Sequence, residues 1–140
     1  MKFLLDTNVC IALMNEMGIG AVSRVRTRLA QELRRNAIVA TSVIVVHELW
    51  YGVAKSHLVA QNARALATFL SREIRVLDYS AQDAQAAGEI RAELERQGQR
   101  IGEYDTLIAG QAFARDLILV TANTREFERV KGLAVEDWSA

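Results

Sequence analysis

A chain of 140 residues, 51% hydrophobic and 24% charged, has the makeup of one globular domain, which excludes a disordered or low-complexity segment. Its 17 basic and 17 acidic residues cancel, its one cysteine, Cys10, excludes an intramolecular disulfide and a cysteine-based zinc site, and it has no proline. No run approaches the roughly 20 apolar residues of a membrane span, and the opening Met-Lys-Phe-Leu-Leu meets Asp6 too early for a signal-peptide core, so a cytoplasmic protein with no membrane partner is expected.

Lys2–Leu5 is a short apolar run that suits a buried strand, with Asp6 at its carboxyl end and Thr7-Asn8 capping a helix through Met14. Gly18 and Gly20 punctuate the chain before a helix over 21–35, in which Val22, Val25, Leu29 and Leu33 recur every three or four residues. A second strand over 37–40 ends in Thr41-Ser42, a helix start, and the helix running to about Lys55 carries Glu48 on its second turn. A helix over about 58–72 leads to a strand over 74–77. Ser80 and Asp83 then have the spacing of a capping box for a long helix closed by Gly98. The spacing predicts another helix over 103–115, a strand over 117–120 and a last strand over 133–136. Alternation of this kind, with no repeat or linker, predicts a single α/β domain spanning 1–140: a mainly parallel sheet of four to five strands with helices on both faces.

Charge is unevenly spread. Residues 1–71 carry 8 basic and 4 acidic side chains, and residues 72–140 carry 9 and 13. The positive excess gathers in Arg24, Arg26, Arg28, Arg34 and Arg35, a stripe that raises the local concentration of a polyanion such as nucleic acid, although a solvated helix face is the commoner fate of such a run.

In an open α/β sheet, ligands gather outside the carboxyl ends of the strands. That rule selects Asp6, Glu48 beyond the second strand, Asp105 near the start of its helix, and Thr121-Ala-Asn123 with Glu126 after the fourth strand. Two carboxylates 4 Å apart repel by roughly 4 kcal/mol at an effective dielectric near 20, so such a cluster needs protons or a cation. Mg²⁺ or Mn²⁺ prefers carboxylate and water oxygens and assists phosphodiester cleavage, which makes metal-assisted hydrolysis the implied reaction class. Each acidic residue also has a plainer reading as a cap or a solvent-facing side chain, the better one for Asp105 taken alone. His47-Glu48-Leu49-Trp50 opens like a zincin motif, but Tyr51 stands where its second histidine belongs, so zinc is not expected. Cys10 reads as a small core residue, and of adjacent Trp50 and Tyr51 at most one can be fully core.

Phe3-Leu-Leu-Asp6-Thr7-Asn8, Thr41-Ser42 followed by His47-Glu48-Leu49 and Tyr51-Gly52, Tyr104-Asp105-Thr-Leu-Ile-Ala109, and Leu119-Val-Thr121-Ala-Asn123-Thr-Arg-Glu126-Phe127 occur in one order over one domain length. Together they resemble the PIN-domain ribonucleases, and among them the VapC toxins of bacterial toxin–antitoxin pairs. The resemblance implies a Mg²⁺- or Mn²⁺-dependent endoribonuclease with Asp6, Glu48 and Asp105 as its carboxylate set and Thr7 or Thr121 in support. It also implies cleavage of structured RNA, transfer RNA or a ribosomal RNA loop, a cognate antitoxin that occludes the site, contact with DNA only through that antitoxin, and a homodimer. Arg24, Arg28 and Arg35 would receive the RNA backbone. Asn123 stands where many PIN domains place a fourth acid, so either its amide oxygen binds metal or water, or Glu126 supplies the charge. Two other readings compete: a catalytically weak PIN-like scaffold that binds a protein or RNA, and a phosphatase or receiver-like domain using Asp6 or Asp78 as phosphoacceptor.

Overall fold

The computed structural model describes residues 1–15, 21–72 and 74–140, and the side chains of 21–23 are left out of the account. The readings of Gly18, Gly20 and the side chain of Val22 therefore lie outside the described residues. In chain order the elements are β1 (Lys2–Leu5), α1 (Thr7–Met14), α2 (Ala21–Arg34), β2 (Ile38–Ser42), α3 (Val43–Ala54), α4 (Val59–Leu70), β3 (Arg75–Leu77), α5 (Ala81–Arg96), α6 (Glu103–Ala114), β4 (Ile118–Val120), α7 (Thr124–Phe127) and β5 (Val135–Glu136).

The five strands form one sheet in the order β3-β2-β1-β4-β5, and every pairing is parallel. Central β1 is covered on both faces, which is why Phe3, Leu4 and Leu5 are consecutive apolar residues and all fully buried. Crossovers from β1 through β2 to β3 run one way and the return to β4 and β5 runs the other. Right-handed connections therefore place α1 to α4 on one face and α5 with α6 on the opposite one. The order reverses between β1 and β4, the switch point outside whose carboxyl ends ligands gather in open α/β sheets.

Several local signals explain the boundaries. Ser80 and Asp83 form the capping box reciprocally, with Ser80 N–H donating to Asp83 Oδ2 at 2.8 Å and Asp83 N–H to Ser80 Oγ at 3.2 Å. Gly98 takes φ +66° just past the end of α5. β2 runs two residues further than its apolar run, because Thr41 pairs in register with Leu5 and donates its hydroxyl to the Leu5 carbonyl at 2.8 Å. Ser42 then ends the strand and caps α3, accepting from Ile44 N–H at 3.0 Å. The outer strands are shorter than their apolar runs: β3 begins at Arg75, and β5 holds only Val135 and Glu136.

The core runs from Phe3, Leu66 and Ile108 through Leu119 and Phe127 to Trp138, which meets Phe3 edge-on at 5.1 Å. Cys10 is buried in it, whereas Trp50 and Tyr51 are both exposed. α5 and α6 cross closely because residue 110 is glycine; a Cβ there would stand 2.6 Å from the Ala87 backbone. Asp83, wholly buried, accepts two bonds from the Arg115 guanidinium and so ties the start of α5 to the end of α6.

Candidate active site

The strand-order reversal is lined by oxygen. Asp6 is extended at φ −74°, ψ 166° and is itself the N-cap of α1, with its Oδ1 accepting the Thr7 N–H at 2.7 Å. Its N–H donates to the Val120 carbonyl at 3.0 Å, carrying the β1–β4 ladder one residue further. Thr121, the first residue past β4, donates its hydroxyl to Asp6 Oδ2 at 2.8 Å, so both oxygens of this buried carboxylate are fixed. Burial raises the Asp6 pKa, the bonds from Thr121 and Thr7 work against that, and the Glu126 charge adds to it.

Glu48 projects from the second turn of α3, half-buried, and accepts the Thr7 hydroxyl at Oε1, 3.1 Å away. Thr7 thus bridges two of the carboxylates, its N–H on Asp6 and its hydroxyl on Glu48. The Glu48 pKa is raised, first by burial and then by Asp6, while the Thr7 bond and His47 oppose the rise.

Asp105 lies in the first turn of α6 and is the most perturbed acid of the group. Burial, the charges of Asp6, Glu126 and Glu48, and a hydrogen bond shared with Glu126 push its pKa to about 7. Near neutrality it is a proton-sharing carboxyl facing three other acids. Glu126 is positioned by the Gly102 N–H, which donates to its Oε1 at 2.9 Å, and by the Asn123 amide, which donates to its Oε2. Gly102 packs so tightly against Asp105 that an added Cβ would lie 3.2 Å from Oδ2.

Asn123 spends its amide N–H₂ on Glu126, and its backbone N–H donates to Thr121 Oγ1 at 3.0 Å. The structure therefore brings Asp6, Glu48, Asp105, Thr7, Thr121, Asn123 and Glu126 into one hydrogen-bonded and electrostatically coupled group, in which Glu126 carries the fourth charge. The arginines on and just past α2 bond to other partners. Arg28 donates to Glu136 at 2.9 Å and stacks over Trp138, Arg35 binds Glu32 at 2.8 Å, and Arg24 reaches the Ser139 carbonyl at 3.3 Å. Gly102 carries no sequence signal beyond its place ahead of a helix start, whereas Tyr104 opens the Tyr104-Asp105 motif and meets the His47 ring at 5.5 Å, a contact the motif does not reveal.

Among the described residues no three His, Cys, Asp or Glu side chains are already closed around a point that would hold a metal ion. The donor set nevertheless fits a hard divalent cation. It consists of carboxylate oxygens whose mutual repulsion and burial hold a proton up to about pH 7, and a cation can take that proton's place.

The match to known proteins agrees with this geometry. The PIN domain family model covers residues 3–133. The chain is 47% identical over 139 residues to the tRNA(fMet)-specific endonuclease VapC of Shigella flexneri, covering 99% of each. Among solved structures it is similar to VapBC2 of Rickettsia felis bound to a DNA fragment from its promoter, with TM-score 0.88, 38% identity and 99% of each chain covered. It also matches DNA-bound VapBC of Salmonella typhimurium, with TM-score 0.87, 41% identity and coverage of 99% and 98%. The all-parallel sheet in the order β3-β2-β1-β4-β5, with acidic residues gathered at its switch point, fits the PIN domain fold that these matches share. The chain belongs to the PIN domain family, on its VapC branch.

Proposed function

We propose that this chain is the toxin of a toxin–antitoxin pair, an endoribonuclease that hydrolyses a phosphodiester bond in transfer RNA with the help of Mg²⁺ or Mn²⁺. The observation that carries this reading is the coupled set of Asp6, Glu48, Asp105 and Glu126, with Asp105 titrating near 7. The 47% identical relative is named for tRNA(fMet), which makes initiator transfer RNA the first substrate to test and places a ribosomal RNA loop second.

A bound cation supplies charge neutralisation and Lewis acidity at the scissile phosphate. Asp6 and Asp105, whose charges act on one another, are the side chains that would hold it. Glu48, held through Oε1 by the Thr7 hydroxyl, would orient the attacking water and take its proton. Thr7 and Thr121 keep Asp6 and Glu48 in place so that their oxygens need not reorganise during the reaction. Glu126, braced by Gly102 and Asn123, shares a proton with Asp105 when no cation is bound. This arrangement disfavours the catalytically weak scaffold, whose motive was the asparagine at position 123.

A cognate antitoxin would bind this chain, as VapB accompanies VapC in the similar complexes, and DNA would be reached through that partner. A groove between α1, α3 and α4, walled by Ile11, Met14, Leu49 and Val53 and opening at Glu48, suits an apolar segment that also blocks the site. A homodimer completes the proposal. The test is incubation of the purified protein with transfer and ribosomal RNA, with Mg²⁺ or EDTA, beside Asp6→Asn and Asp105→Asn. Discrete cuts by the wild type alone, lost in EDTA and in both variants, are expected; cleavage that survives both substitutions would refute the assignment.

A further inference from the structure

A cluster of four carboxylates repels the polyanion it is meant to cut, so contacts that do not depend on charge would help to hold RNA beside it. One pair of rings next to the carboxylates is placed to make such contacts. His47 immediately precedes Glu48 on α3, and Tyr104 immediately precedes Asp105 on α6. Consecutive helical residues point about 100° apart. Each ring is therefore displaced to the side of its neighbouring carboxylate, and the two rings meet across the gap between the helices, with centroids 5.5 Å apart and planes tilted by 44°. This pair is not core packing of the kind Phe3 and Trp138 make, because those rings are 0% and 3% exposed while Tyr104 is 47% exposed and His47 is also open to solvent.

We infer that His47 and Tyr104 form a stacking platform for an unpaired base flanking the scissile phosphate. The inference rests on the ribonuclease reading above and adds a specificity device to it. Stacking on a ring is indifferent to the phosphate charge and tolerant of base identity, and it requires a base that has left its own helix. A platform one residue away from two site carboxylates on both walls therefore selects single-stranded loop nucleotides and sets their phosphate over the acidic cluster. Duplex RNA, whose bases are stacked on each other, cannot use it.

The test measures binding by fluorescence anisotropy with the Asp6→Asn chain in Mg²⁺, using a labelled uridine decamer and a decamer of abasic ribose phosphates with the same charge. Stacking of one base corresponds to roughly fivefold to hundredfold in affinity. The uridine decamer is expected to bind tighter than the abasic one by a factor in that range, and Tyr104→Ala or His47→Ala should lower it toward the abasic level while leaving abasic binding unchanged. Tyr104→Phe should keep the preference. Equal losses for both decamers, or no loss for either, would overturn the platform, and thermal melts of each variant separate this from misfolding. The wild type is assayed for RNA cleavage in parallel. Cleavage without base-dependent binding sinks the platform alone, whereas base-dependent binding without cleavage sinks the nuclease reading and leaves the platform standing.

Discussion

Replacing Asp105 with asparagine should stabilise the protein in the absence of divalent cations, and only at neutral and alkaline pH. The folded chain holds the Asp105 proton to about pH 7, against an ordinary aspartate value of 3.8. Because the native state binds more protons than the unfolded one between those values, stability falls as pH rises through that window. The cost is absent below about 3.8 and complete above about 7. The difference between 3.8 and about 7 corresponds to roughly 4 kcal/mol, and partial exposure with ionic screening reduces this to about 2 kcal/mol. Asparagine keeps the shape without the charge. The variant should therefore melt higher than wild type by on the order of 5–10 °C at pH 8 in EDTA, by less at pH 5, and by nothing near pH 3.5 if both remain folded. Circular dichroism melts at the three pH values measure this directly. A saturating divalent cation should close the gap at pH 8 by stabilising the wild type alone. A variant no more stable than wild type at pH 8, or a gap that does not change with pH, would refute the proposition that carboxylate crowding is the dominant strain in this site.

Thr121→Val removes the hydroxyl that fixes Asp6 Oδ2 and accepts the Asn123 N–H, and should weaken Mn²⁺ binding by about tenfold to a hundredfold in a calorimetric titration and cost about 1–3 kcal/mol of stability without the ion, read as a lower melting temperature. Gly110→Ala places a methyl 2.6 Å from the Ala87 backbone and should cost about 1–3 kcal/mol as α5 and α6 are forced apart, read as a lower urea midpoint. Arg115→Met strands the fully buried Asp83 carboxylate. Burial works to raise the Asp83 pKa, but the bonds from Arg115 and Ser80 hold it below the usual carboxylate range. Losing the guanidinium should cost about 3–5 kcal/mol, and adding Asp83→Asn to that background should recover part of it.

The parts of the fold that local chemistry dictates were legible in the residues. Each of the five strands overlaps a short apolar run, and β1 fills its run from Lys2 to Leu5. The capping box at Ser80 and Asp83 is a local pattern that forms as spaced. Boundaries moved where a distant partner decides them. Thr41 and Ser42 belong to β2 because Leu5 of another strand offers Thr41 a carbonyl, which the residues around Thr41 do not reveal. Gly110 looks like a weak point in a helix until Ala87, from a different helix, is set against it.

The same division runs through the site. Asp6, Glu48 and Asp105 follow from the rule that ligands collect at the carboxyl ends of parallel strands. The choice between Asn123 and Glu126 does not, because both lie within one turn of the same short helix. In the structure the Gly102 N–H, from the start of α6, and the Asn123 side-chain N–H₂ both donate to Glu126, the charged member of the pair. A backbone donor 24 residues away thus helps to position that charge. That donor also explains why residue 102 is a glycine: anything larger would press on Asp105 from 3.2 Å while Asp105 shares its proton with the acid that Gly102 holds.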